Sequence, residues 1–345
     1  MSMINIAVLF GGNSSEYGVS LQSAASVMEN LSHEKYRVYP IGISPTGEWF
    51  YFTGSINAIQ SDTWLNDTKN LSPVSVTFGE NGGIWEDCDK EGKKKINLDL
   101  VFPVLHGRFG EDGCVQGMLE LTKLPVVGCG VLASALCMDK DRAHKLVSLE
   151  GIRVPKAVLI CNVWENQEEI KGLGLPVFVK PLKAGSSYGI TKVTKEEDME
   201  NAIKQAFLYD NQVLIEENIE GFEVGCAVTG NQELFCGRVD EIELSNGFFD
   251  FKEKYTLETS QIHMPARISK ELEIQIQETA KLIYQCLGCK GMARVDLFLT
   301  PEGELVFNEV NTIPGFTSHS RFPNMMKGVG LEFSQLLDQI ISLSI

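Results

Sequence analysis

Five short stretches carry residue types that could act together in one reaction. In the last third, ARVDLFL (residues 293–299) alternates like a strand and puts Arg294 and Asp296 on one face. ELVFNEVN (residues 304–311) is its expected hairpin partner through Pro301, Glu302 and Gly303, with Glu309 and Asn311 sharing a face. Asp296, Glu309 and Asn311 then offer three oxygen ligands from adjacent strands. That set suits magnesium, which takes a few protein oxygens and completes its shell with phosphate and water. The competing interpretation is structural, with Arg294 salt-bridged to Asp296 or Glu309.

KPLKAGSSYGI (residues 180–190) reads as a strand ending in Lys180, a loop with Gly185, Ser186, Ser187 and Gly189, and a second strand. Glycines let backbone amides face phosphate oxygens, and a lysine supplies a compensating point charge. The G-K-[ST] ending of a P-loop is missing, and a strand follows where that motif needs a helix. GGNSSE (residues 11–16) follows the first strand and opens a helix, so free N–H groups sit at a positive helix end, although a tight strand-to-helix turn has the same composition. LHGRFGEDG (residues 105–113) also follows a strand and mixes His106, Glu111 and Asp112 with three glycines. GxGxxG is absent, which speaks against a nicotinamide site.

The elements that must position these groups follow from periodicity. Strands at 4–10, 36–43 and 98–105 alternate with helices at 20–31 and 115–121, a pattern that predicts a mainly parallel α/β sheet. After Pro125 come a short strand, one helix over 134–149 and the turn GIRVP. A β-rich unit follows, with strands at 157–161, 177–181, 189–193 and 213–217 and a helix at 198–207. The last part has strands at 223–230 and 233–241, a loop at 248–255, a helix at 270–287, the hairpin above and a final helix at 333–343. Three domains are expected, residues 1–125, 126–215 and 216–345.

The chain has 345 residues and a net charge of −16, with 43% hydrophobic and 22% charged residues, so it can build a large core and is not disordered. The acidity argues against nucleic acid. It is also uneven: the three segments carry 15, 11 and 20 acids against 9, 11 and 10 bases, so the stretch with Lys140 and Lys180 is neutral. No run of eighteen apolar residues suggests a membrane helix, and the amino terminus lacks a signal-peptide pattern. Nine scattered cysteines fit reduced thiols in the cytoplasm, and the single CxxC, Cys286 and Cys289, fits core packing better than zinc.

The order GGNSSE, LHGRFGEDG, MDK (residues 138–140), VKP with GSS, EKY (253–255), ARVD, NEVN and PGFTSHS (314–320) resembles the D-alanine D-alanine ligases, which are ATP-grasp enzymes, along essentially the whole chain. The resemblance implies an α/β, three-domain ATP-grasp architecture with ATP held between the central and C-terminal domains. It places Lys140, Lys180, Ser187 and Lys254 on the phosphates, Glu216 and Phe298 on adenine, and Glu223 on the ribose. It gives Asp296, Glu309 and Asn311 two magnesium ions, with manganese as an alternative.

The implied chemistry has two steps. The carboxylate of a first D-alanine attacks the γ-phosphate, and the amine of a second amino acid then attacks the acyl phosphate. By the same resemblance Glu16 anchors the first ammonium group, and Ser186 with Tyr255 completes a triad that closes the site. Val19 and His106 lie near that subsite, Arg294 and the Gly315 amide stabilise the oxyanion, and Ser320 holds the second carboxylate.

After PGFTSHS the family usually places a leucine. This chain has Arg321, as do the vancomycin-resistance ligases that join D-alanine to D-serine, and Phe249 stands where that type tends to carry phenylalanine. A hydroxymethyl group needs a polar neighbour, and leaving that neighbour unpaired against a methyl is costly. The alternative is a surface arginine. EKY argues against the branch that forms D-lactate esters. The expectation is therefore an ATP-dependent ligase of D-alanine and D-serine in the cytoplasm, contributing a modified cell-wall dipeptide and vancomycin resistance. Its partners are the two amino acids, with no nucleic acid or membrane insertion, and the resemblance suggests a homodimer. A housekeeping D-alanine D-alanine ligase, an ATP-grasp carboxylase or purine ligase, and a nucleotide-binding regulator without catalysis stand as the other readings.

Overall fold

The computed structural model describes residues 3–79, 82–88, 92–185, 188–244 and 260–345. Strands β1 (Ile4–Gly11), β2 (Tyr36–Ile43), β3 (Trp49–Phe52), β4 (Leu71–Thr77), β5 (Gly83–Cys88), β6 (Gly92–Lys95) and β7 (Leu100–Pro103) form one sheet in the order β6-β5-β4-β3-β2-β1-β7. β1 pairs in parallel with β2 and β7, as alternating strands and helices require. The expected mainly parallel sheet needs correction, because β3 to β6 add antiparallel pairings at the other end. These strands are short and end in the exposed Lys93, Lys94 and Lys95, so no long apolar run announced them. Helix α1 (Tyr17–Asn30) packs its buried Leu21, Ala24, Val27 and Met28 on β1. The short α2 (Ile56–Gln60) and α3 (Cys114–Glu120) complete this part.

The expected single helix at 134–149 is two. α4 (Val131–Met138) stops at Asp139, whose backbone is extended (φ −91°, ψ 93°), and α5 (Lys140–Leu149) begins with Lys140. The Asp139 side chain accepts the N–H of Arg142 at 3.1 Å and so caps α5. Aspartate favours that position because its carboxylate satisfies an N–H that the helix leaves open. The cap fixes where Lys140 emerges.

A second sheet holds β8 (Ala157–Ile160), β9 (Val177–Pro181), β10 (Thr191–Val193) and β11 (Val213–Glu217), all antiparallel in the order β10-β9-β11-β8. α6 (Gln167–Leu173) and α7 (Met199–Ala206) cover it through Ile170, Ala202 and Ile203. The third sheet runs β14-β13-β12-β15-β16, antiparallel, from β12 (Phe222–Gly230), β13 (Leu234–Leu244), β14 (Ser260–His263), β15 (Gly291–Leu299) and β16 (Leu305–Asn311). α8 (Lys270–Cys286) packs on it with Ile276, Ala280, Ile283 and Tyr284.

α9 (Arg321–Lys327) and α10 (Phe333–Ser342) tie the third unit back to the first. Phe316, Phe322, Met325, Leu336 and Ile340 share one continuous core with β1 and α1, and Tyr36 donates to Asp338 at 2.9 Å. That shared core brings Ile313 and Phe316 against α1 and the loop after β7, where the Phe316 N–H donates to Ser23 and the Ile313 carbonyl meets His106. Among the described residues no helix is long and apolar enough to cross a membrane.

Candidate active site

Glu16 sits at a meeting point of three loops. It is buried at the start of α1, and a Cβ added to Gly107 would lie 2.4 Å from its carboxylate, as one added to Gly185 would at 2.5 Å. Gly107 also has a positive φ of 73°, so glycine is required there on two counts. The loops GGNSSE, LHGRFGEDG and KPLKAGSS, far apart in sequence, therefore close on one carboxylate. Val19, half-buried one turn along α1, is on the same helix.

His106 is buried next to this point, and both its ring nitrogens are engaged inside the protein. Nδ1 donates to the Ile313 carbonyl at 3.0 Å and Nε2 accepts from the Ser23 hydroxyl at 3.1 Å, in the neutral tautomer. Burial holds its pKa down to about 4, with the nearby Arg294 charge adding to the effect. Glu111, which sequence reasoning did not single out as a site residue, bridges the same region. Its carboxyl accepts the N–H groups of Gly107 (2.8 Å) and Ile313 (3.1 Å), and burial followed by the charge of Glu16 pushes it up to about 8.

A cleft of about 330 Å³ lies between the second and third sheets, lined among others by Lys140, Lys180, Glu216, Glu223, Phe298 and Glu309. Register explains part of this. Lys180 is opposite Leu214 on the β9/β11 pair, two residues from Glu216 on the same face, and Lys180 Nζ reaches Glu216 Oε2 at 2.5 Å. The ion pair outweighs burial and holds the Glu216 carboxyl below its usual range, with His144 also contributing. Lys140 Nζ donates to the Ala184 carbonyl at 3.0 Å and stands 3.7 Å from Glu309.

At the end of the cleft, β15 and β16 set Arg294 opposite Asn311 and Asp296 opposite Glu309. Arg294 donates through Nε and Nη2 to both oxygens of Asp296 at 2.8 to 3.1 Å, and Asn311 Nδ2 donates to the same carboxylate at 3.0 Å. The structure thus contains the salt bridge as well as the grouping of the three oxygen donors. Asn311 gives its nitrogen to Asp296, which leaves Oδ1 as its donor atom. Two carboxylates and an amide oxygen fit a hard divalent cation.

Arg321 is not a surface residue. It is the first residue of α9, 9% exposed, and its guanidinium donates to Asp240 through Nε (2.7 Å) and Nη2 (2.8 Å) and to Glu223 through Nη1 (2.7 Å), with Asp296 at 3.4 Å. Asp240, wholly buried on β13, was missed from sequence; an aspartate at an inward position of GRVDEIEL was the available signal. Glu223, expected on the ribose, lines the cleft but spends one oxygen on Arg321. Ser320 precedes α9 and turns its hydroxyl back to accept the Thr317 N–H at 3.0 Å, with Gly315 packed so closely that a Cβ would meet Ser320 Oγ at 2.8 Å. Ser186, Ser187, Phe249, Lys254 and Tyr255 lie outside the described residues.

Family models for the D-ala D-ala ligase N-terminus and C-terminus match residues 5–129 and 147–342. The chain belongs to the D-alanine D-alanine ligase family. The vancomycin C-type resistance protein VanC1 of Enterococcus gallinarum is 48% identical over 99% of this chain and 98% of its own. A D-alanine–D-alanine ligase of Caldicellulosiruptor bescii is 44% identical over 100% and 96%. The crystal structure of the VanG D-Ala:D-Ser ligase from Enterococcus faecalis superposes with a TM-score of 0.92 at 57% identity, covering 100% of both chains. Membership makes this chain an ATP-dependent, ADP-forming ligase of mixed α/β ATP-grasp fold, with the metal-ion dependence general to the family.

Proposed function

We propose that the protein joins D-alanine to D-serine through a D-alanyl phosphate, supplying a modified dipeptide for cell-wall precursors and with it vancomycin resistance. The observation that carries this reading is Arg321: a buried guanidinium beside Ser320, held by Asp240 and Glu223, with N–H groups left over for a substrate hydroxyl. The VanG likeness supports it. The ligase of C. bescii keeps the housekeeping reading in view, since every other group serves both products.

Glu16 receives the ammonium of the first D-alanine where the three loops converge, with Ser186 and Tyr255 completing the closure. Lys140, Lys180, Ser187 and Lys254 meet the phosphates, Glu216 and Phe298 the base, and Glu223 the ribose. The D-alanine carboxylate then attacks the γ-phosphate, a transfer governed by positioning and charge neutralisation. Arg294 and the Gly315 N–H stabilise the oxyanion when the second amine attacks, and Ser320 holds the second carboxylate. His106, both nitrogens occupied, shapes the first subsite and moves no proton. By the resemblance alone, Phe249 belongs with the residues that recognise the second amino acid. Asp296, Glu309 and Asn311 would hold two magnesium ions, which neutralise phosphate charge when bound. A homodimer in the cytoplasm completes the proposal.

The test is dipeptide identification with ATP, magnesium, D-alanine and D-serine. ADP release that requires both D-alanine and D-serine supports the reading; full turnover with D-alanine alone, and D-alanyl-D-alanine as the main product of the mixture, contradicts it.

A further inference from the structure

His144 lies one turn beyond Lys140 on α5, 5% exposed, with an acceptor at each edge of its ring. Nε2 is 2.8 Å from the Asn308 carbonyl on β16, which makes Nε2 the protonated nitrogen of the neutral ring. Nδ1 faces Glu216 Oε1 at 3.7 Å. Both atoms are buried, and neither has a hydrogen-bond partner among the described residues. Two lone-pair acceptors in that arrangement repel, whereas one added proton turns them into an ion pair.

The charges around the ring explain why that proton is absent. Lys180 on β9 meets Glu216 from the other side through Oε2, and Lys180 and Lys140 both present like charge to His144. Burial, then these lysines, hold the His144 pKa down against the pull of Glu216 and the Asn308 carbonyl. Phe307 on β16 packs edge-on to the ring and adds no charge.

We propose that His144 is a positioning residue: when the phosphates of a nucleoside triphosphate draw Lys180 off Glu216, His144 takes one proton from solvent on Nδ1 and becomes the counter-ion of Glu216. This rests on the reading of Lys180 as a phosphate ligand and Glu216 as the base reader. One proton enters, and no other bond forms or breaks. Phosphate neutralises the two lysines that opposed protonation, and closing 3.7 Å to a hydrogen bond needs a shift of under about 1 Å. Glu216 Oε1 is then fixed by His144, and Oε2, released by Lys180, points to the amino group of the base.

Calorimetric titration of the full-length protein with ATP, in two buffers of different ionisation enthalpy, counts the protons taken up. Comparing wild type with His144→Gln cancels the titration of ATP itself. Wild type is expected to take up about half to one proton more per ATP than the variant, and adenosine, which lacks phosphates, to show no such difference. Equal uptake in both proteins overturns the proposal. If His144→Gln does not fold, the ring Cε1–H resonance of His144 in wild type decides: ATP is expected to move it to the imidazolium position, and a ring that stays neutral overturns the proposal. Lys180→Gln separates the two levels of inference. Weakening of ATP binding by about 10-fold or more, without proton uptake in wild type, leaves the phosphate reading standing and removes the His144 role. Unchanged ATP binding by Lys180→Gln removes both.

Discussion

Arg321 holds Asp240 in a two-point grip, Nε to Oδ2 at 2.7 Å and Nη2 to Oδ1 at 2.8 Å, with the aspartate wholly buried between β13 and α9. Asp240→Asn leaves Glu223 at 2.7 Å and Asp296 at 3.4 Å as counter-charges of the guanidinium, so it removes the two-point grip without stranding the charge. It is expected to lower unfolding free energy by about 1 to 3 kcal/mol and to reduce D-serine use relative to D-alanine. Chemical denaturation and product analysis read the two effects; a folded variant with the wild-type product ratio would show that Asp240 does not position Arg321.

Gly225 offers a gentler perturbation of the same group. A Cβ there would lie 2.3 Å from Arg321 Nη2 and 2.8 Å from Asp240 Oδ1, so Gly225→Ala must displace the guanidinium. The expected outcome is a KM for D-serine raised about 10-fold or more while the KM for ATP changes little. If both KM values rise together, the displacement is not confined to the second subsite.

His106 gives a pH prediction with a definite sign. Its folded pKa, about 4, lies below the unfolded value near 6.5, so between these values the unfolded chain binds more protons and stability falls as pH falls. The loss accrues from pH about 6.5 down to about 4 and amounts to on the order of 3 kcal/mol for this group. His106→Gln, compared with wild type across that window, should flatten the slope; parallel curves would refute the assignment.

Asp139→Ala removes the cap that divides α4 from α5. About 1 kcal/mol of stability should be lost, and because the cap sets the exit of Lys140, the KM for ATP should rise as well. An unchanged KM with lowered stability would confine Asp139 to the helix.

Strands that repeat apolar residues could be read directly: β1, β9, β11 and the β15/β16 hairpin stand where periodicity put them, because the residues that bury a face also set the register. Motifs gave the loops that meet at Glu16, since a Cβ at Gly107 or Gly185 would displace the Glu16 carboxylate. The remaining features depend on contacts between distant segments. Asp139 breaks a helix that composition alone would continue. Asp240 and Glu111 have meaning only through Arg321, Gly107 and Ile313, which lie 81, 4 and 202 residues away in the chain. The pairing of Lys180 with Glu216 and of Glu223 with Arg321 likewise joins segments 36 and 98 residues apart, each side chain meeting the nearest buried opposite charge.

The second subsite is tested most directly by the D-alanyl-D-serine to D-alanyl-D-alanine product ratio at equal amino-acid concentrations, wild type against Arg321→Leu. Wild type is expected to favour D-serine, and the leucine variant to move the ratio towards D-alanine by about 10-fold or more, because a buried donor to the hydroxyl is replaced by an apolar contact for the methyl. A ratio that is the same in both proteins would contradict the central claim that Arg321 reads the D-serine hydroxyl.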